Sequence, residues 1–424
     1  MSHAHASTPR ISPAAMVFLV VSLCVIYMIS QFLRNSVGVI APDLTRDLAL
    51  SPENLGLLSG IFFLSFASAQ LPLGMALDRY GPRAVMLGLS GLAIIACLWF
   101  AAAADFTGLT GARVLMGLGC SSFFMAPLLI YARMFSPARF ATLTGIQLGL
   151  GSLGTLAATA PLAYISASYG WRTGFIIVAI VTALAAVMVW VATRGRLTPP
   201  DHHDPQQSLA ESFRGVLEAI RRKDSLRLFW LHASGYPVFA AMLGLWGGPY
   251  LSDIHGLGLT ERGNVLFVMA ACQITGLFLW GASDRLFRSR KKPILIGGSI
   301  TMCLLAVLAL WPDMPFAYIT PLLGLLGLSC AVTPVITAHG KSLFPPHLTG
   351  RGLTFMNIGS MGGAFVLQGL TGLIIGLFPQ TSPGHNSAAA YQAGFGALAL
   401  IMCAALIVYA GARDIPPDEL SAQT

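Results

Sequence analysis

Long apolar segments, separated by short polar breaks, occupy most of the 424 residues of this chain. A helix needs roughly 20 mostly apolar residues to cross a bilayer, so each such segment predicts a membrane-spanning helix. Twelve segments reach this length, at about residues 14–40, 54–77, 84–104, 109–134, 140–165, 171–193, 226–251, 260–283, 293–311, 316–339, 351–377 and 389–411. The pattern predicts an all-α integral membrane protein with twelve transmembrane helices.

The spans fall into two groups of six around a polar linker. We expect a cytoplasmic tail at 1–13, an N-terminal six-helix bundle at 14–193, a cytoplasmic linker at 194–225, a C-terminal six-helix bundle at 226–411 and a cytoplasmic tail at 412–424. The halves also resemble each other, since Gly151 and Gly154 recur as Gly359 and Gly362 at a spacing of 208 residues. This diverged internal repeat predicts two pseudo-symmetric bundles.

Charged residues are few, and most of the basic ones lie on one side of the predicted membrane. Charged residues make up 10% of the chain and hydrophobic residues 55%, whereas soluble domains carry about 25% charged residues. Of the 25 Lys and Arg residues, only Arg46, Arg172 and Arg262 fall in outer loops if both termini are cytoplasmic, while Arg34 and Arg113 fall within spans. The positive-inside rule therefore predicts cytoplasmic termini and a multi-pass inner membrane protein. It also accounts for the net charge of +8 without a nucleic-acid partner.

Two Asp-Arg pairs lie at the ends of apolar segments, 206 residues apart: Asp78-Arg79 and Asp284-Arg285. An Asp at a helix end, faced by arginines and a neighbouring helix terminus, can form a charge-assisted clasp across the seam between two bundles. A clasp that forms in one state and breaks in another biases a two-state equilibrium. The alternative is that these charges only set the topology.

The loop that contains the first pair resembles a loop of the major facilitator superfamily, at Gly74, Asp78, Arg79, Gly81 and Arg83. A second match opens the fourth span, where the pattern R-x-x-x-G-x-G is met by Arg113, Gly117 and Gly119. The resemblance covers essentially the whole chain. It implies two six-helix bundles around a central cavity that rock to alternate access, with these residues as gating or conformational elements. It does not name a substrate.

Arg34 is the strongest candidate for contact with a substrate. An arginine within a membrane costs at least about 2.5–3.5 kcal/mol on insertion scales, so it should face a wet cavity or a partner. At 100° per residue, Tyr27, Gln31 and Arg34 share one helical face, and a guanidinium suits a carboxylate or phosphate. The alternative is a structural charge, or one that reaches the outer interface, since Pro42 is expected to end the helix two turns later.

The segment that follows Arg34 resembles the first span of organic-anion and organophosphate branches of the superfamily, in which the matching arginine contacts the anionic substrate. The chain departs from that pattern because its fourth span has no embedded carboxylate and its seventh has no arginine. It also lacks the paired intramembrane arginines expected of nitrate carriers. Proton symport through a buried carboxylate is therefore not indicated, and a coupling proton or other ion stays open.

Further polar residues within spans are candidate ligands. His232 and Tyr236 are spaced i, i+4 in the seventh span, just before Pro237, and the histidine could titrate near neutral pH. Gln147, Asn357 and Gln368 could line the cavity, although such residues also hold helices together.

No other function class fits the chain as well. It contains no convergent set of nucleophile, base or metal ligands, so we expect no enzyme, no cofactor and no metal site. We predict a monomeric secondary transporter of a small organic anion, either a carboxylate or a phosphate ester, that works by alternating access. The rival prediction is an exporter of hydrophobic or cationic compounds of the same superfamily.

Overall fold

The computed structural model of the protein describes residues 12–194, 214, 217–222, 224–344 and 348–416. Most of the expected tails and most of the linker therefore lie outside the described residues. Within the described part, eleven helices are long and apolar enough to cross a membrane. One of these contains two spans, as shown below.

The helices of the N-terminal bundle are Pro13–Leu48, Pro52–Ala102, Phe106–Cys120, Ser122–Met134, Pro137–Gly151, Leu153–Ala157, Ala160–Tyr169 and Trp171–Thr193. Short irregular turns divide the fourth and fifth spans, yet each still crosses as one apolar unit, at Phe106–Met134 and Thr142–Tyr169.

The helices of the C-terminal bundle are Ser225–His232, Gly235–Ala241, the π-helical turn Met242–Trp246, Gly247–Asp253, Leu259–Gly281, Ser283–Phe287, Lys291–Leu310, Phe316–Cys330, Thr333–Leu343, Thr349–Gly376 and Ala388–Ala410. Two short antiparallel strands, Gln380–Ser382 and His385–Asn386, connect the last two spans.

The longest helix, of 51 residues, holds the second and third spans. Gly81 breaks it with φ 78° and ψ 157°, a conformation that a residue without a Cβ adopts at little cost. Gly117 packs against Phe62, and Gly119, two residues later, packs against Ala93. Because these two glycines are close together, Phe62 and Ala93 must also lie close together. In a straight helix they would lie about 46 Å apart, at 1.5 Å per residue. The chain therefore folds back at Gly81, and the predicted fold of twelve spans in two six-helix bundles is confirmed.

The first span is longer than the sequence indicated. The expectation that Pro42 ends this helix is wrong, because the helix continues to Leu48 and ends on Ala49 in the left-handed conformation. Proline removes one backbone donor and crowds the preceding turn, but membrane helices tolerate this where neighbours bond the freed backbone groups. Here Arg262 Nε of the eighth span donates to the Val39 carbonyl oxygen at 2.9 Å, within the disturbed turn.

The two bundles pack closely toward the end of the molecule at which the first helix finishes. A Cβ on Gly248 would overlap the Gly38 carbonyl, and Gly56 lies likewise against the backbone of the eleventh span. Small residues allow such close approach of helices within membranes. We call this the Asp43 end, and we call the opposite end, which carries Asp78 and Asp284, the Asp78 end.

Candidate functional site

Arg34 lies deep in the first span, 14 residues before its last residue, Leu48. The residue is only 8% exposed, and its guanidinium carbon lies 4.4 Å from the centroid of the Phe66 ring. Its Nε is buried and has no hydrogen-bond partner among the residues that the structure describes. A buried cation is costly unless something compensates its charge. The contact with the Phe66 ring compensates part of it, and the unpaired Nε is available to donate to a ligand.

Arg113, in the fourth span, has the opposite environment. It is fully buried, and it donates to the carbonyl oxygens of Leu33 at 2.6 Å, Leu58 at 3.2 Å and Ser59 at 3.2 Å. These bonds join the first, second and fourth spans. The guanidinium of Arg113 is therefore used for packing within one bundle, whereas that of Arg34 is not.

Unpaired polar atoms from both bundles accompany Arg34. Among the described residues, Gln31 Oε1 and Asn35 Oδ1 of the first span are buried without a hydrogen-bond partner, as is the hydroxyl of Tyr236 from the seventh span. Buried polar atoms are normally bonded, so a group of unpaired atoms at one level indicates a place that a polar ligand could occupy.

Tyr27 links this group across the seam. It lies near both Arg34 and Tyr236, and its ring lies 5.0 Å from that of Phe124. The ring of Tyr236 lies 6.5 Å from that of Phe63, and Phe63 precedes Phe66 by about one helical turn in the second span. The structure thus brings Tyr27, Gln31 and Arg34 of one bundle together with Tyr236 of the other. We call these four residues the Arg34 site.

The two candidate glutamines have partners outside this site. Gln147 Nε2 donates to the Leu23 carbonyl oxygen at 3.0 Å, and its Oε1 accepts from the Tyr131 hydroxyl at 2.8 Å. Gln368 donates to the Ala240 carbonyl oxygen at 2.9 Å, while its Oε1 is buried and unpaired. Gln147 therefore connects helices of one bundle, and Gln368 connects the seventh and eleventh spans.

The remaining candidates lie nearer the Asp78 end. His232 is buried, and its Nδ1 lies 3.3 Å from the carbonyl oxygen of Leu228 in its own helix. Asn357 is half-buried in the eleventh span. Neither residue makes a contact with Arg34 that would place it in the same site.

Comparison with known proteins decides the family. The model of the Major Facilitator Superfamily matches residues 23–368, which is most of the chain. The chain belongs to the major facilitator superfamily.

Relatives within the superfamily are similar at modest identity. The chain is 34% identical to the nitrate/nitrite transporter NrtP of Nostoc punctiforme over 57% of its own length and 47% of that protein, so it spans about half of this relative. It is 23% identical to the hexuronate transporter of Bacillus subtilis, over 81% of this chain and 82% of that one.

A solved structure of the superfamily fold is similar over nearly the whole chain. It is that of a bacterial homolog to the human lysosomal transporter Spinster, in an inward-facing and unoccupied conformation, with a TM-score of 0.74. The sequences are 18% identical over 94% of this chain and 95% of that one. This likeness confirms the superfamily fold of two six-helix bundles.

The superfamily loop between the second and third spans is open in this structure. Asp78 is exposed and makes no hydrogen bond or ion pair with another described residue. Arg79 lies over the ring of Tyr80, with its guanidinium carbon 5.3 Å from the ring centroid. Gly81 forms the turn described above, and Arg83 is half-buried.

The corresponding loop of the second half differs. Asp284 forms an ion pair of 3.9 Å with Arg290 of its own bundle, and Arg285 is exposed.

Gly74 belongs to the first of the two loops. A Cβ on Gly74 would meet nothing within 4 Å, so the second span has no close described neighbour at that glycine. Within the described part of the chain, neither Asp-Arg pair forms a clasp between the bundles in this conformation.

Two features of the site could not be selected from the sequence. Asn35 follows Arg34 directly, yet the helical face chosen around Arg34 excluded it. Phe66 is one of 24 phenylalanines, and only the fold places its ring against the guanidinium. The one signal in the sequence was the polar side chain of Asn35 directly after the arginine; that its oxygen is unpaired is visible only in the structure.

Proposed function

We propose that this protein is a secondary active transporter of small organic anions, carboxylates or phosphate esters, that works by rocker-switch alternating access. The proposal rests on one observation, the buried guanidinium of Arg34 with its Nε unpaired between the two bundles. A guanidinium binds carboxylate or phosphate oxygens with charge-assisted hydrogen bonds. Such an anion would compensate the charge that the protein leaves without a partner.

The atoms around Arg34 favour an anion that also carries hydroxyl groups. The unpaired oxygens of Gln31 and Asn35 are hydrogen-bond acceptors, which would repel a second carboxylate oxygen but accept from a hydroxyl. The hydroxyl of Tyr236 can act in either role. The similarity to a hexuronate transporter supports the same class, because a hexuronate is a polyhydroxylated carboxylate.

Nitrate is a second candidate substrate, favoured by the similarity to a nitrate/nitrite transporter. It would satisfy Arg34 but not the acceptor oxygens around it, since nitrate has no hydrogen to donate. An exporter of cations is disfavoured for an electrostatic reason, because the charge next to the candidate site is positive.

The orientation follows from the charges and belongs to the same proposal. The excess of Lys and Arg at the Asp78 end supports a cytoplasmic position for that end, in the inner membrane. Close packing at the Asp43 end and an unpaired Asp78 at the other end would then correspond to a conformation open to the cytoplasm. No carboxylate takes part in the Arg34 site as described, so the proposal does not route a coupling proton through it.

A ligand screen tests the substrate class. Purified protein is heated with D-glucuronate, D-glucose, a phosphate ester, nitrate or a quaternary ammonium compound, and the midpoint of unfolding is measured. A ligand that binds the folded state raises this midpoint. We expect stabilisation by D-glucuronate or the phosphate ester and none by D-glucose, which lacks the charge. Stabilisation by the ammonium compound alone would refute the proposal, and stabilisation by nitrate alone would select the second candidate.

A further inference from the structure

A buried ion pair joins the two bundles at the Asp43 end. Arg262 begins the eighth span and is 5% exposed. Its Nη2 donates to the carboxylate of Asp43 in the first span, while its Nε donates to the Val39 carbonyl oxygen at 2.9 Å. Among the residues that the structure describes, this is the only ion pair between the two bundles.

The other charged groups near this pair have partners within their own bundles. Arg46, which is exposed, lies 3.0 Å from Asp43 and 3.3 Å from Asp47 in the same helix. Asp253, from the end of the seventh span, is paired with His385 at 3.1 Å and accepts from the Tyr391 hydroxyl at 2.7 Å. Separation of the bundles would therefore break the pair of Asp43 and Arg262 and leave these others intact.

Water can reach the pair once the bundles begin to separate. A cavity of about 620 Å³ is lined by Asp43 and Ser51 on one side and by Asp253, Arg262 and His385 on the other. A buried ion pair that loses one partner is strongly destabilised because an uncompensated charge stays buried. Opening into this cavity instead hydrates both ions, so the pair can break and re-form during a transport cycle.

We propose that the Asp43–Arg262 ion pair is the gate at the Asp43 end, made while that end is closed and broken when it opens. The inference rests on the alternating-access part of the proposed function. In this conformation the pair is formed while Asp78, at the other end, has no partner among the described residues. The two ends thus hold opposite states at the same time, as an alternation of gates requires.

Distances between spin labels test the gate directly, in the absence of ligand. Labels on cysteines at Ala104 and Leu310, exposed at the Asp43 ends of the third and ninth spans, report opening there. Labels at Tyr80 and Leu286 report the Asp78 end. The labelled proteins are made with the seven native cysteines replaced.

Asp43→Asn and Arg262→Gln should each lengthen the distance between positions 104 and 310 and shorten that between 80 and 286. Asp47→Asn is the matched control, since it removes the same charge from the same helix. The described partners of the Asp47 carboxylate all belong to the N-terminal bundle, namely Trp171 at 3.0 Å, Arg46 at 3.3 Å and Arg172 at 3.9 Å. Distances that stay as in the parent for both gate variants, or that shift equally for Asp47→Asn, would overturn the proposal.

The double variant Asp43→Asn/Arg262→Gln separates the ion pair from nonspecific damage. If the pair is the gate, the double variant shifts the distances by less than the sum of the two single changes, because either change alone already breaks the same pair. Additive shifts would contradict the gate. A failure of the ligand screen would leave these distances unaffected, so the gate and the substrate proposal fail separately.

Discussion

Arg113 donates to the carbonyl oxygen of Leu33, and so holds the turn of the first span from which Arg34 extends. One buried arginine therefore positions the backbone of another. Arg113 bonds three carbonyls, whereas the Nε of Arg34 has no partner. We infer that Arg113 stabilises the bundle, whereas Arg34 is available to bind a ligand.

We predict opposite effects of the two arginines on stability without ligand. Arg113→Gln should lower the midpoint of thermal unfolding, because each buried carbonyl left unpaired costs about 1–3 kcal/mol. Arg34→Gln should leave the midpoint unchanged or raise it, since it removes an uncompensated charge. Both are measured on purified protein in the same detergent. Equal losses for the two variants would show that Arg34 is also a structural residue.

Tyr236 should contribute specificity for hydroxylated anions. Tyr236→Phe removes a hydroxyl with no protein partner, and a neutral hydrogen bond contributes about 0.5–1.5 kcal/mol, or roughly two- to tenfold in affinity. We expect this loss for D-glucuronate and none for an anion without hydroxyl groups, measured by calorimetry. Tyr80→Phe, which changes an exposed ring at the Asp78 end, is the control. An equal loss of affinity for both anions would contradict a contact between Tyr236 and a hydroxyl group of the ligand.

Asp78 should control turnover rather than binding. Its carboxylate is unpaired in this conformation, so Asp78→Asn should leave ligand affinity and membrane insertion largely intact. Transport into proteoliposomes should be abolished, because the clasp that forms in the alternate state is lost. Asp105→Asn, at the other end of the third span, is a control of equal charge. Normal turnover of Asp78→Asn would refute the gating role.

Asp414 should stabilise the C-terminal segment against the ninth span. Burial tends to raise the pKa of this carboxyl, but bonds from Ser289 and from the backbone N–H groups of Lys291 and Arg290 hold the pKa below its ordinary value. Because the pKa is lowered in the folded state, the stabilisation by Asp414 is fully present at pH values above the ordinary pKa of the carboxyl group. It is lost as the pH falls through the lowered pKa. Asp414→Asn should thus lower the unfolding midpoint equally from pH 7 to pH 5. A difference that vanishes within that range would contradict this assignment.

The sequence predicted the spans and Arg34 because both depend on local properties. A run of apolar residues is visible along the chain, and so is an arginine within it. The end of the first helix was missed because the bond that supports the turn at Pro42 comes from Arg262, 220 residues later. The gate was missed for the same reason, since Asp43 and Arg262 are paired only by the packing of the two bundles. Gln147 resembled Gln31 in sequence, and only the fold distinguishes its saturated amide from an unpaired one.

The affinity of Arg34 variants for an organic anion shows whether Arg34 binds the substrate. A charge-assisted hydrogen bond contributes about 1.5–3 kcal/mol, or roughly one to two decades of affinity. Calorimetry with the anion that stabilises the parent most should show partial loss for Arg34→Lys, which keeps the charge but not the fork, and nearly complete loss for Arg34→Ala. Binding of that anion to Arg34→Ala with the affinity of the parent would contradict the account.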